Sequence, residues 1–332
     1  MKTSLIFLFS WCLVSGIYGQ DPHYSQFFMT PLAISPALAG SGYAPWRIAC
    51  NYREQWSVGN TPFRTFSLSA DATIGSPSSR KKKPDLSVGI LLTGDESLNG
   101  AFKSSYAQTG LACHVPIDRN HKIGVGIQGM ISSRQLKHEQ LTFGNQFSAG
   151  GFDVRLPTGE PSLQDMAIYG SLHTGLLYRY DKEDTHLALS GAVLHINQPV
   201  QSFLGDGSQR LPRAFVLYGG YDFAVTQYLF YSINGIFREQ AGQRYFASGG
   251  AVGLDISEGQ RREILYAGAW YRSGDAISPY FALLIRNCQV GITYDLTLSK
   301  QNSGPVSPQS LELSIVWRNL DNRLGRIICP WR

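Results

Sequence analysis

The sequence predicts an all-β chain: a transmembrane, outer-membrane antiparallel β-barrel of about 14 strands, preceded by an irregular N-terminal leader. Three observations predict it. Apolar residues recur at every second position in many runs of about ten residues, which gives each strand one lipid face and one polar face. Past residue 20, no stretch approaches the ~18 consecutive apolar residues of a membrane helix, so a crossing has to be made by strands closed into a barrel. Composition agrees, with 35 glycines in 332 residues, 12% aromatics and only 16% charged residues, against the ~25% usual in globular chains. A soluble β-sandwich shares the period of two, but its strands are usually shorter and rarely repeat so often without a boundary.

Residues 1–19 read as a signal peptide. Lys2 is the positive start, Leu5 to Val14 the apolar run, and Ser15 to Gly19 supply small residues for cleavage near Gly19/Gln20. Cys12 follows Trp11, which argues against lipidation. Residues 20–45 form the leader. Pro22, Pro31 and Pro36 exclude a long helix or a central strand. Phe27, Phe28, Met29, Leu32, Ile34 and Leu38 make the leader too apolar for a solvated linker, so it is expected to dock on the periplasmic side or plug the barrel.

Strands are expected at 46–58, 62–74, 85–94, 104–115, 121–133, 166–180, 184–195, 212–224, 227–238, 245–257, 262–272, 276–286, 288–298 and 309–318, which makes the barrel 46–318. Alternation is clear in Phe66-Leu68-Ala70-Ala72-Ile74, Ile123-Val125-Ile127, Val290-Ile292-Tyr294-Leu296-Leu298 and Leu311-Leu313-Ile315-Trp317. An even strand number leaves both barrel ends periplasmic and puts the two longest links, 134–165 and 196–211, outside. The outer link 59–61 and the inner link 75–84 depart from the long-outside, short-inside pattern. Residues 319–332 are then a periplasmic tail.

Trp46, Trp56, Tyr178, Tyr180, Tyr228, Tyr231, Trp270, Tyr271, Tyr280 and Trp317 lie near strand ends, as interfacial aromatic girdles would. Strand parity sends Arg53, Gln55, Ser67, Asp71, Asp295, Glu312 and Arg318 into the lumen as a charged lining. The same parity puts Cys50, Cys113 and Cys288 on the lipid face of strands that are not neighbours, so no disulfide is expected among them. Link 134–165 carries Phe143, Phe147, Phe152, Leu156 and Leu163 among glycines, and Phe203 with Leu204 centres 196–211. Loops of that length usually serve a function, here a plug or a cargo-binding cap.

The chemistry-bearing residues argue against an enzyme. The seven histidines show no H-x-x-x-H or H-E-x-x-H spacing and there is no C-x-x-C, so no metal or cofactor is expected. There is no G-x-S-x-G and no P-loop. A barrel lipase would need a serine hydrogen-bonded to a base, with His173 near Ser171 or His195 near Ser190 as the pairs to consider. The net charge of +5 is modest, and Arg80-Lys81-Lys82-Lys83 has no interleaved aromatics. That run reads as a solvated turn, not a nucleic-acid site.

The leader also carries a resemblance. Asp21-Pro22-x-x-Ser25-Gln26-Phe27, then Pro31-Leu32, Pro36, Ala39-Gly40, Tyr52-Arg53-x-Gln55-Trp56 and Asp71 resemble the opening of the PorP/SprF family, outer-membrane proteins of type IX secretion and gliding in Bacteroidetes. Cys329-Pro330 resembles that family's close, although Arg332 here follows the usual terminal aromatic, Trp331. The resemblance implies an outer-membrane component that binds and helps deliver or anchor a secreted cargo through an adhesin-type C-terminal sorting domain. A subunit contacting the periplasmic ring of the secretion apparatus is the variant of that role. From the residues themselves, a small-solute porin stays open as the other class, decided by whether the lumen is open or filled.

Overall fold

Alternating strands that bury one face and expose the other have to close on themselves to cross a bilayer, because an open edge leaves backbone groups unpaired in lipid. The computed structural model of the protein describes residues 21–42, 44–56, 62–74, 84–137, 140–159, 166–203, 207, 209–258, 262–298 and 309–319. Five strands open the barrel: β1 (Trp46–Gln55), β2 (Phe63–Ile74), β3 (Asp85–Ser97), β4 (Phe102–Pro116) and β5 (His121–Leu136). A small hairpin follows, β6 (Phe147–Ser148) with β7 (Gly151–Phe152), outside the barrel. The wall continues through β8 (Met166–Lys182), β9 (Thr185–Leu194), β10 (Ala214–Ala224), β11 (Leu229–Gln240) and β12 (Gln243–Asp255). It ends with β13 (Glu263–Arg272), β14 (Ala276–Ile285), β15 (Cys288–Thr297) and β16 (Ser310–Arg318). Each of these 14 barrel strands pairs antiparallel with its neighbours, and β1 closes against β16 with Arg53 opposite Glu312.

Every strand begins within two residues of its expected position, so the expected 14-strand barrel is the observed one. Differences are local. β3 and β5 run three residues further than alternation indicated, and β11 and β12 meet at the tight turn Ala241–Gly242, which both residues enter with positive φ. Ile127, Ile168, Leu176, Leu217, Phe281 and Ile315 face outward, which supplies the lipid belt. Tyr228, Tyr271 and Trp317 also face outward, but Trp270 and Tyr280 do not belong to a girdle: both are buried in the lumen. They share parity with Arg272 and Ser278, and their rings meet each other and the leader. The lumen is therefore not polar throughout. One sector carries Tyr266, Trp270, Tyr280 and Leu284, because an apolar segment packs there instead of water.

That segment is the leader. It forms a 3-10 turn at Phe27–Met29, one α-helical turn α1 (Pro31–Ile34) and a second 3-10 turn at Pro36–Leu38. Pro31 and Pro36 each open a turn, where a missing N–H costs nothing and a fixed φ helps. The Ser35 side chain caps the last turn by accepting from the Ala37 N–H at 3.3 Å. Cys50, Cys113 and Cys288 are free thiols. The signal peptide, the Arg80 to Lys83 run, Leu163, Leu204 and the tail with Cys329 and Pro330 lie outside the described residues.

Candidate functional site

The leader runs down the lumen antiparallel to β1, and its contacts fix its course residue by residue. At the mouth with the long links, Asp21 meets His195, just past β9, together with Arg238 and Gln240 at the end of β11. At the opposite mouth, the Gly40 N–H donates to Asp71 Oδ2 at 2.8 Å and the Ser41 carbonyl accepts from Arg179. Between these ends Phe27, Phe28, Met29, Leu32, Ile34 and Leu38 are all buried. Phe28 packs on Trp270 with centroids 4.4 Å apart and edge-on to Tyr280 at 5.5 Å, within the range of favourable aromatic pairs.

The wall is shaped for this close approach. A Cβ at Gly126 would overlap Pro36 C and Ala37 N, and one at Gly175 would overlap the Ser35 hydroxyl. A Cβ at Gly89 would stand 2.8 Å from a Leu32 methyl. His114 on β4 completes the fit, with Nε2 2.9 Å from the Ala37 carbonyl. Two voids along the leader measure about 40 and 20 Å³, room for only a few waters, and a third of about 90 Å³ lies at its start.

The polar counterpart of this packing sits at the seam between the first and last strands. Glu312 on β16 accepts from the Ser25 N–H at 2.7 Å, the Gln26 N–H at 3.0 Å and Asn51 Nδ2 at 2.8 Å. Arg53 Nε lies 3.7 Å from the same carboxylate, and Arg53 Nη2 lies 3.2 Å from Asp295 on β15. Asp295 also holds Ser25 Oγ at 2.8 Å, Ser278 Oγ at 2.7 Å and Arg272 Nη2 at 2.9 Å. Gln26 finishes the strap: its amide donates to the Glu312 carbonyl and its Oε1 accepts from Ser314. Buried charges this well hydrogen-bonded are the only ones a low-dielectric interior tolerates. At the inner end, Arg47 pairs with Asp71 at 2.8 Å.

Of the residues singled out in the sequence, Asp21, Ser25, Gln26, Phe27, Pro31, Leu32, Pro36, Ala39, Gly40, Arg53 and Asp71 converge in this one assembly. Pro22 stands half-buried beside the leader's start, and Tyr52, Gln55 and Trp56 lie on or just past β1, away from the strap. Phe147 and Phe152 belong instead to the external hairpin, and Phe143 opens the 3-10 turn that precedes it. Phe147 is 67% exposed and its ring lies 5.3 Å from that of Phe152, so the hairpin contributes nothing to filling the lumen. Phe203 packs near Phe102 on a small cluster of Tyr106, Met130, Met166, Tyr169 and Leu211 below the same mouth. Sequence reasoning missed Trp270, Tyr280, Arg238 and Arg272; the parity of Trp270 with Arg272 was the available signal.

One further set has the look of chemistry. Ser171 Oγ lies 2.8 Å from His195 Nδ1, and His195 Nε2 lies 2.8 Å from Asp21 Oδ2. The pair that forms is thus Ser171 with His195, and neither pair considered from the sequence. Ser190 donates to the Leu176 carbonyl, and His173 stacks edge-on against His195. Ser171 and His195 are fully buried, and Arg238 covers the carboxylate. Burial pushes the Asp21 carboxyl up, but Arg238 and His195 outweigh it and hold it well below the usual carboxylate range. The set acts as a latch between the leader and the wall. Among the described residues no group of histidine, cysteine and carboxylate side chains is placed to hold a metal ion.

A family profile described as Type IX secretion system membrane protein PorP/SprF matches residues 17–317. No curated protein sequence matches. Among solved structures, the toluene transporter TbuX of Ralstonia pickettii is similar with a TM-score of 0.50 and 11% identity, over 88% of this chain and 94% of that one. A Pseudomonas aeruginosa FadL homologue is similar with a TM-score of 0.50 and 8% identity, over 86% of this chain and 92% of that one. At such identities the likeness shows the outer-membrane barrel fold alone.

Proposed function

The chain belongs to the PorP/SprF family of type IX secretion system membrane proteins, and on that premise we propose that it is a plugged outer-membrane barrel. In this reading it binds a secreted cargo and helps deliver or anchor it at the cell surface. The observation that carries the reading is the filled lumen. A diffusion channel needs an open path, whereas here the leader occupies the lumen by aromatic packing and a buried network of hydrogen bonds and ion pairs. What remains for function are surfaces, and the long-link mouth carries the exposed Phe147, Phe152 and Val154. Burial of such aromatic anchors is what drives most protein association. We read the Ser171–His195–Asp21 set as structural and the protein as having no enzymatic activity.

The cargo in this proposal carries an adhesin-type C-terminal sorting domain, and outer-membrane lipid surrounds the barrel. The test is an affinity pull-down from native outer membranes with a tag inserted at the exposed Gly207, away from the hairpin, followed by mass spectrometry. One large secreted protein with a sorting domain supports the cargo role. Recovery of periplasmic ring subunits in its place makes the protein a fixed subunit of the apparatus. Recovery of neither, together with steady conductance of the purified barrel, overturns the secretion role and leaves a porin.

A further inference from the structure

The direction of the leader says where its first residues stand. Strand polarity sorts the connections into two sets. The turns at 117–120, 183–184, 225–228 and 286–287 share one end with Trp46 and Arg318, the two ends of the barrel strands. β5 ends and β8 begins at the other end, as do β9 and β10, and in outer-membrane barrels that end, with the longer connections, faces the cell exterior. Asp21 is held at that outer end by Arg238 and His195, while Gly40 and Ser41 are held at the inner end by Asp71 and Arg179. The leader therefore begins at the outer mouth and ends at the inner one, where β1 starts. A periplasmic handle would run the other way.

Exposure follows the same course. Asp21, Pro22 and His23 are half-buried, and every residue from Tyr24 to Leu32 is buried. His23 stacks against Tyr245 with centroids 5.5 Å apart. With Asp21, Arg238, Gln240, Gln243, Arg244 and Tyr245 it lines a hollow of about 90 Å³ at the rim. Gln243 and Arg244 are exposed on the turn beside it, so the hollow presents amide and guanidinium donors outward.

We propose that the leader enters the lumen from the cell-surface mouth, so that Asp21–His23 form part of the outward face that a secreted partner covers. This rests on the reading above, in which the long-link end faces outward and meets the cargo. It adds that the family-motif leader is itself part of that meeting surface.

The experiment uses full-length protein in intact cells and a membrane-impermeant maleimide. His23→Cys is compared with Ala149→Cys on the external hairpin and Arg119→Cys in the turn at the opposite end. All variants carry Cys329→Ser, and the protein with that change alone serves as the blank, because Cys50, Cys113 and Cys288 are on the wall. The expected result is labelling of His23→Cys and Ala149→Cys on intact cells, and of Arg119→Cys only after the outer membrane is opened. Cells blocked in type IX export, where no secreted partner reaches the barrel, should label His23→Cys more strongly still. Pro22→Cys repeats the measurement should the His23 variant fold poorly. In export-blocked cells, labelling of Ala149→Cys with neither leader variant overturns the direction of threading and leaves the barrel's orientation standing. Labelling of Arg119→Cys on intact cells without Ala149→Cys inverts the barrel and overturns the functional reading as well. Leader labelling that is unchanged by the export block removes the leader from the docking face.

Discussion

Glu312 is the residue through which the leader and both ends of the barrel sheet meet, so its removal is the sharpest test of the plug. Glu312→Ala leaves the Ser25 and Gln26 N–H groups and the Asn51 amide without their acceptor, and leaves Arg53 with Asp295 and the His23 carbonyl. A hydrogen bond to a charged group contributes about 1.5–3 kcal/mol. Removing one partner of a buried ion pair costs about 3–5 kcal/mol, because the other charge stays behind unpaired. Contributions of this kind do not add, so the expected loss is ~3–5 kcal/mol in total, a factor of roughly 10² to several times 10³ in the folded population. Glu312→Gln keeps an acceptor oxygen and the shape but loses the charge, and should cost about half as much. Arg53→Met in the Glu312→Ala background should restore part of the loss by removing the stranded cation. The assay is urea unfolding of the barrel in detergent micelles, followed by heat-modifiable gel mobility, with conductance in planar bilayers as the readout of the plug. If Glu312→Ala unfolds within ~0.5 kcal/mol of wild type and stays closed, within the range of neutral surface changes, the strap does not hold the leader and the argument fails.

Four further outcomes follow from the same geometry. Gly126→Ala places a methyl against the Pro36 and Ala37 backbone and should cost ~1–3 kcal/mol with a rise in conductance, whereas Gly129→Ala, with nothing within 4 Å, should be neutral by the same two assays. Burial pushes the His23 imidazole well below its usual pKa, aided by the Arg53, Arg272 and Arg238 charges. The docked leader therefore binds fewer protons than the released one, so docking is fully favoured above about pH 6.5 and weakens as pH falls below it; conductance of the purified barrel against pH should show this, and His23→Gln should flatten it. Asp21→Asn removes the charge that Arg238 and His195 share, and should free the first residues of the leader for proteolysis while the barrel's unfolding midpoint hardly moves. Phe147→Ser with Phe152→Ser should leave unfolding unchanged, since both rings are exposed, and should abolish cargo recovery in the pull-down if the hairpin is the anchor.

The barrel was legible because its signal is periodic and repeated. Ile123-Val125-Ile127 or Leu311-Leu313-Ile315 commit a whole strand to one orientation, and a slip of one residue would turn every one of them inward. The leader was legible only as a contradiction: Phe27 to Leu38 is apolar enough to be core, yet Pro31 and Pro36 bar it from the sheet. Where that core would find its partner was not legible, because the aromatic sector at Tyr266, Trp270 and Tyr280 obeys the same alternation as a lipid-facing run. A tryptophan near a strand end reads as a girdle until something in the lumen is there to meet it. The latch was illegible for a different reason. Asp21, Ser171, His195 and Arg238 belong to four separate elements, and only the path of the leader brings the first of them to the other three.

Two kinds of contact divide the work along the leader, and the division bears on whether the barrel opens. The apolar stretch contributes most of the favourable burial, about 1.5–3 kcal/mol per large side chain, but a greasy segment in a greasy sector tolerates small slips. Register is set at the two ends, by Glu312 on the Ser25 and Gln26 N–H groups and by Asp71 on the Gly40 N–H. Sliding the leader by one residue would break both ends at once and leave Glu312, Asp295 and Asp71 without the leader donors they hold. Partial opening is therefore worse than either end state, and a leader so placed behaves as a fixed strut and not as a valve. A barrel braced in this way offers a secreted partner a rigid rim, with the external hairpin and the first residues of the leader held in constant relation. A partner that reads both together gains affinity from their preorganisation, without first having to order them.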